Sequence, residues 1–172
     1  GITNSTSISL IGIFRNPEFP NLSQDRNQLF RMASMTKPIT AYLTLAVLED
    51  NGIDLRDSVG KYVPEIDNLE IAYKEGDTIK YKKNDVPISF HHLLSFTSGH
   101  AYEHHDPIIS ELLSKKEIAP MKIGDDSFLQ APLVFTPGSR WGYGISYGWL
   151  GKAIEAISGV SLDENLKKYL CQ

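Results

Sequence analysis

Ser34-Met35-Thr36-Lys37 sets a hydroxyl and an amine one helical turn apart at the head of an apolar stretch. On a helix the two side chains share a face and come within reach of each other. A lysine so placed can take the proton of an attacking serine, which makes the pair a candidate nucleophile and base. The partial positive charge of a helix N-terminus favours the negative charge that develops on such a serine. With apolar neighbours and a second cation around it, Lys37 is expected to have a lowered pKa and to accept a proton near neutral pH. General-base help of that kind is worth about 10²–10⁴-fold. The same tetrad also describes an N-cap serine followed by a solvated lysine, and spacing alone leaves both readings open.

Three further patterns invite chemistry. Ser58-Val59-Gly60-Lys61 repeats the tetrad, but it stands close to Asp57 and Pro64 with no helical pattern after it, so Ser58 reads as a turn serine. Gly144-Ile145-Ser146-Tyr147-Gly148 has the G-x-S-x-G form of a nucleophile elbow ahead of a predicted helix. That arrangement requires an acid and then a histidine downstream. All five histidines lie between His91 and His105, upstream of Ser146, so the elbow reading is set aside. His100-Ala101-Tyr102-Glu103-His104 matches the zinc-protease pattern H-x-x-E-H, which needs an unbroken helix. Gly99 and Pro107 bracket it, so a hydrated, histidine-rich loop is expected there and no metal site.

The elements that must position these side chains follow from periodicity. Ile39, Leu43, Ala46 and Val47 share one face of a helix predicted over 34–51, stopped by Asn51-Gly52. Pro38 is tolerated only in the first turn, which puts the helix start close to Ser34. Residues 7–14 read as a strand. The polar segment 65–86 is expected to make a surface excursion, with a turn at Glu75-Gly76-Asp77 and a short strand over Thr78 to Tyr81. Short helices are predicted at 88–96, ended by Gly99, and at 107–116. A helix over 146–158 buries Leu150, Ile154 and Ile157, and Ser161 with Glu164 forms a capping box for a last helix.

The composition, 41% hydrophobic and 22% charged over 172 residues, suits one ordinary domain with a real core. A net charge of −4 offers no basic face to a phosphate backbone, which argues against nucleic acid as a partner. The apolar runs at 10–14 and 41–48 fall short of the roughly 18 residues of a spanning helix. The lone Cys171 permits neither an intrachain disulfide nor a cysteine zinc cluster. The chain opens with Gly1 and has no basic region followed by an apolar run and a small-residue cleavage site, so no targeting segment is expected within it. A secreted or organellar location would suit the glycosylation acceptors at Asn4 and Asn21, a pattern short enough to arise by chance.

Read with its surroundings, Phe30-Arg31-Met32-Ala33-Ser34-Met35-Thr36-Lys37-Pro38-Ile39-Thr40 resembles the active-serine segment of the penicillin-recognising serine hydrolases. Within them it is most similar to the class C β-lactamase-like branch, which includes esterases and D-amino-acid peptidases. The likeness continues through Asn51-Gly52-Ile53-Asp54-Leu55, Val59 and Lys61-Tyr62-Val63-Pro64-Glu65. It extends to His92-Leu93-Leu94-Ser95-Phe96-Thr97-Ser98-Gly99, similar to the family's "HLLTHTSG" with Phe96 in place of the second histidine. Pro137-Gly138-Ser139-Arg140-Trp141-Gly142-Tyr143 and Leu150-Gly151 resemble the segment of the second catalytic motif.

The resemblance implies an α+β, β-lactamase/transpeptidase-like fold, represented mainly by its helical region with fragments of the antiparallel sheet. It implies catalysis by Ser34, Lys37 and Tyr143, the tyrosine bonding the other two and acting as general base; on residue type alone Tyr143 would read as a packed aromatic. No metal or organic cofactor is implied. Where the family's β-lactamases carry asparagine two residues past the tyrosine, this chain has Ile145, which favours carboxylic esters over β-lactams or D-amino-acid peptides as small-molecule substrates. The third motif, a K-T-G or equivalent strand that supplies an oxyanion donor, would lie beyond Gln172. Residues 1–172 therefore read as a single partial catalytic domain or a diverged short relative, with a non-catalytic scaffold as the rival reading.

Overall fold

The computed structural model describes Leu29, residues 31–122 and residues 124–171. The strand expected over 7–14 and the acceptors Asn4 and Asn21 lie outside these. The chain divides after Ser34 into two units. In the first, the described residues end in a 3₁₀ turn that begins at Ala33, whose φ of +46° lies in the left-handed region that alanine rarely adopts. The second unit, from Met35 onward, holds the elements described next.

Helix α1 runs Thr36–Asp50, two residues later than predicted. The 3₁₀ turn Ala33–Met35 takes up the difference, so Ser34 stands before the α-helix and not in its first turn. Pro38 is the third helical residue, where its missing N–H costs no intrahelical bond. At the other end Asn51 donates its side-chain amide to the Val47 carbonyl at 2.8 Å, and Gly52 turns the chain at φ +61°. The buried face comprises Leu43, Thr44, Val47 and Leu48, and Thr44 satisfies its hydroxyl on the Thr40 carbonyl at 2.8 Å.

The segment 65–86 has the expected turn and a strand at Thr78–Lys83, but it also holds a partly buried strand where a surface excursion was expected. Strand β1 (Glu70–Glu75) pairs antiparallel with β2 (Thr78–Lys83) through a two-residue turn with Gly76 at φ +61°. Ile71 and Ala72 are buried, because the other edge of β1 meets Leu133: Ala72 N–H donates to the Leu133 carbonyl at 2.7 Å, and Leu133 N–H donates to that of Glu70 at 2.9 Å. The partner that buries β1 is distant in sequence, so no local pattern announces it.

Helix α2 (Phe90–Leu94) starts from a capping box in which Ser89 Oγ accepts the His92 N–H at 3.2 Å and the Ser89 N–H donates to His92 Nδ1 at 3.3 Å. It ends at Leu94 with Ser95 as its C-cap, and Phe96 rather than Gly99 turns the chain out of it. Phe96 takes φ +58°, its N–H donates to Leu93, and the Thr97 N–H reaches back to His92 at 2.9 Å, a Schellman closure. Helix α3 (Pro107–Ser114) is capped by Asp106. Helix α4 (Ser146–Ser158) has the bounds read from its periodicity, and α5 (Leu162–Tyr169) carries the predicted Ser161–Glu164 capping box.

The main core gathers Leu48, Ile66, Phe90, Leu93, Leu133, Trp149 and Leu150 around α2 and α4. A smaller cluster of Leu43, Val47 and Ile154 is closed by Leu162, Leu166 and Tyr169 of α5, so α1, α4 and α5 pack on one another. Full burial of each such side chain contributes roughly 1.5–3 kcal/mol. Architecturally the described residues are α+β, with helices dominating and a single two-stranded antiparallel sheet.

Candidate active site

Tyr143 lies in the loop before α4, in a slot that leaves its backbone little freedom. The preceding N–H, of Gly142, donates to the Phe96 carbonyl at 2.8 Å, and the Tyr143 carbonyl accepts from Tyr102 N–H at 3.1 Å. Both flanking residues are glycines for want of space. A β-carbon on Gly142 would lie 2.6 Å from the Phe135 ring, and one on Gly144 would lie 2.6 Å from the backbone nitrogen of Ala101. Around the Tyr143 ring stand Phe96 at 5.0 Å between centroids, Tyr102 at 5.3 Å, His105 at 5.8 Å and Trp141, stacked at 14° and 6.3 Å.

Lys37, the second residue of α1, brings its ammonium to this shell. Its Nζ is 5.0 Å from the Tyr143 centroid and 5.7 Å from that of Tyr102. Burial pulls the Lys37 pKa down, but hydrogen bonds to Tyr143 and Tyr102 and the electrostatic pull of the two phenols outweigh it, so the net shift is upward. The lowered pKa expected from sequence is therefore corrected: the phenols of Tyr143 and Tyr102 favour the charged form of Lys37. Tyr147 on α4 completes the shell, its hydroxyl donating to the Leu94 carbonyl at 3.3 Å and its ring stacked on Phe96 at 5.0 Å. Burial pushes the Tyr147 phenol up, so it stays protonated.

The structure thus brings together two of the three side chains singled out in the sequence, Lys37 and Tyr143. Ser34, the third, is an exposed residue of the 3₁₀ turn Ala33–Met35 and closes the first unit. Tyr102 and Phe96 went unread as site residues because no spacing links them to Lys37; the one available signal was the phenylalanine standing where the family has histidine.

The decoys separate cleanly. Ser58 caps the 3₁₀ turn Val59–Lys61 by accepting the Gly60 N–H, and Lys61 is paired with Asp57 at 2.6 Å. Ser146 is wholly buried at the start of α4, its Oγ 2.8 Å from Ser98 Oγ, which in turn is 2.9 Å from His100 Nδ1. His100 is a core residue whose pKa burial lowers to about 3. This corrects the expectation of a hydrated loop at that position. His104 is exposed in a turn, so the H-x-x-E-H residues do not share a helix. Ile145 turns into the main core. Among the described residues no three His, Cys, Asp or Glu side chains are grouped to hold a metal ion, and no helix is long and apolar enough to cross a membrane.

A family model described as Beta-lactamase matches residues 21–172. Among curated proteins the chain is similar to the ML-236A carboxylate methylbutanoyltransferase of Penicillium citrinum, 32% identical over 146 residues, covering 83% of this chain and 35% of that protein. It is also similar to the lovastatin esterase of Penicillium rubens, 27% identical over 150 residues, covering 84% of this chain and 37% of that protein. Of the solved structures, unliganded simvastatin synthase from Aspergillus terreus superposes with a TM-score of 0.78 at 28% identity, over 92% of this chain and 42% of that one. The chain spans about a third of the length of the curated relatives it matches.

Proposed function

Because this chain belongs to the Beta-lactamase family and has its β-lactamase/transpeptidase-like fold, we propose that it carries the nucleophile and proton-transfer groups of a serine enzyme that acts on carboxylic esters through an acyl-enzyme. The observation that carries this reading is the Lys37 ammonium set against the Tyr143 ring, on a loop held by two space-limited glycines. Ser34 Oγ attacks the ester carbonyl while Tyr143, held as the phenolate by the neighbouring Lys37 ammonium, takes the serine proton and becomes the neutral phenol. Collapse of the tetrahedral intermediate breaks the bond to the alkoxy group, which leaves as the alcohol with that proton. Water or a second alcohol then attacks the acyl-Ser34, releasing the acid or a new ester and restoring the serine.

Two features support esters as the substrate class. Ile145 occupies the position where an amide side chain would meet an amide substrate, and it is packed into the core. Relatives over the same stretch bear the names of an esterase and of acyltransferases. The test is intact-mass spectrometry of the chain and of Ser34→Ala after exposure to a p-nitrophenyl ester and, separately, to a serine-directed fluorophosphonate. An adduct on the parent and none on the variant is the expected result. Equal labelling of both, or no adduct on a folded parent, overturns the assignment.

A further inference from the structure

Phe96 is the residue at which this sequence departs from the family's histidine, and it sits in a backbone conformation that phenylalanine rarely adopts. It is the residue just past the C-cap in the Schellman closure of α2, with φ +58°. Glycine or asparagine is favoured there, because a β-carbon is disfavoured in the left-handed region. A bulky side chain held at such a point is a local conflict that the surroundings must enforce, and conflicts of this kind cluster at functional sites.

The surroundings here are the proposed catalytic tyrosine. The Phe96 carbonyl accepts the Gly142 N–H at 2.8 Å, fixing the residue before Tyr143. Its ring lies 5.0 Å from Tyr143 and 6.3 Å from Trp141, and is backed by Tyr147, stacked at 5.0 Å and 22°. The geometry assigns to Phe96 the positioning of Tyr143 against Lys37, an assignment that rests on the reading of Tyr143 given above. Glycine at this position would satisfy the backbone and lose the brace; phenylalanine keeps the brace at the expense of backbone strain. Phe96 does not touch the reacting atoms and acts through Tyr143.

The experiment compares Phe96→Gly, Phe96→Leu and Phe96→Tyr in the full 172-residue chain, with Ser34→Ala as the turnover control. Two readouts are taken: Ser34-dependent hydrolysis of a p-nitrophenyl ester, resolved into kcat and KM, and the NMR shifts of the Lys37 ε-methylene protons, which the Tyr143 ring current moves upfield. Phe96→Gly and Phe96→Leu are expected to lower kcat by roughly 10- to 100-fold with KM within about twofold, since small misplacements of a reacting group cost on that scale. Both should also shift the Lys37 protons downfield, while Phe96→Tyr restores both readouts. Thermal melts of the same variants separate this from loss of fold, because glycine suits this backbone position. Lys37 shifts unchanged in both Phe96→Gly and Phe96→Leu overturn the positioning role whatever happens to turnover. Shifts that move while kcat stays constant support the positioning of Tyr143 and overturn its catalytic role. If the parent shows no Ser34-dependent turnover, the functional reading falls and the NMR arm still decides the role of Phe96.

Discussion

Gly144 lies so close to Ala101 that a β-carbon built on it would sit 2.6 Å from the Ala101 nitrogen, against backbone that has no rotamer to yield. Gly144→Ala is therefore expected to destabilise the chain by about 1–3 kcal/mol through overpacking and to displace Tyr143 with the loop. The check is a denaturant melt paired with ester turnover. Gly151→Ala on α4, where the added carbon meets only the Leu162 side chain at 3.3 Å, is the contrast and should leave turnover intact.

Tyr143→Phe keeps the ring and its aromatic neighbours and removes the hydroxyl proposed to transfer the proton. The expected outcome is a folded protein with kcat lowered about 10²–10⁴-fold. Lys37→Met should lower it as well, by removing the charge over the ring. Steady-state kinetics beside far-ultraviolet circular dichroism would show both effects, and unaltered kcat in Tyr143→Phe would remove Tyr143 from the mechanism.

The pH dependence of stability should carry the signature of His100. Burial lowers its folded pKa from an ordinary value near 6.5 to about 3, so between those values the unfolded chain binds one more proton than the folded one. Its contribution is fully present above pH 6.5 and is lost as pH falls towards 3, at about 1.4 kcal/mol per pH unit. Equilibrium unfolding at several pH values across that window should show this slope, and His100→Gln should flatten it.

Ser98 stands between two buried groups, Ser146 Oγ at 2.8 Å and His100 Nδ1 at 2.9 Å. Ser98→Ala removes the shared partner of both and is expected to cost about 1–3 kcal/mol. Ser98→Thr, which keeps the hydroxyl, should recover part of that loss. Thermal denaturation of the two variants is the measurement.

What was readable in the sequence was readable for physical reasons. Helix α4 and the capping box of α5 were legible because an apolar face and a Ser-x-x-Glu cap are local signals. Strand β1 was missed because the residue that buries it, Leu133, lies far along the chain. The start of α1 slipped by two residues because Ala33–Met35 form a 3₁₀ turn ahead of it, and Pro38, tolerated throughout a first turn, does not single out the residue that opens the helix. At the site, Lys37 was singled out by its spacing from Ser34 and Tyr143 by the family resemblance alone, and the sign of the Lys37 shift was not legible. It depends on the hydrogen bond to Tyr143 and on Tyr102, which no local pattern connects to Lys37.

Strand β2 has a consequence for the behaviour of the molecule in concentrated solution. Among the described residues it pairs with β1 and has no strand on its other side. It presents Lys80, Lys82 and Lys83 within its six residues, all exposed. An open backbone edge is a template for strand addition by a neighbouring molecule, and a row of like charges makes two such edges repel. The hairpin is thereby guarded against edge-to-edge aggregation by lysines that take no part in its chemistry, and neutralising them would turn a passive surface ribbon into a nucleus for assembly.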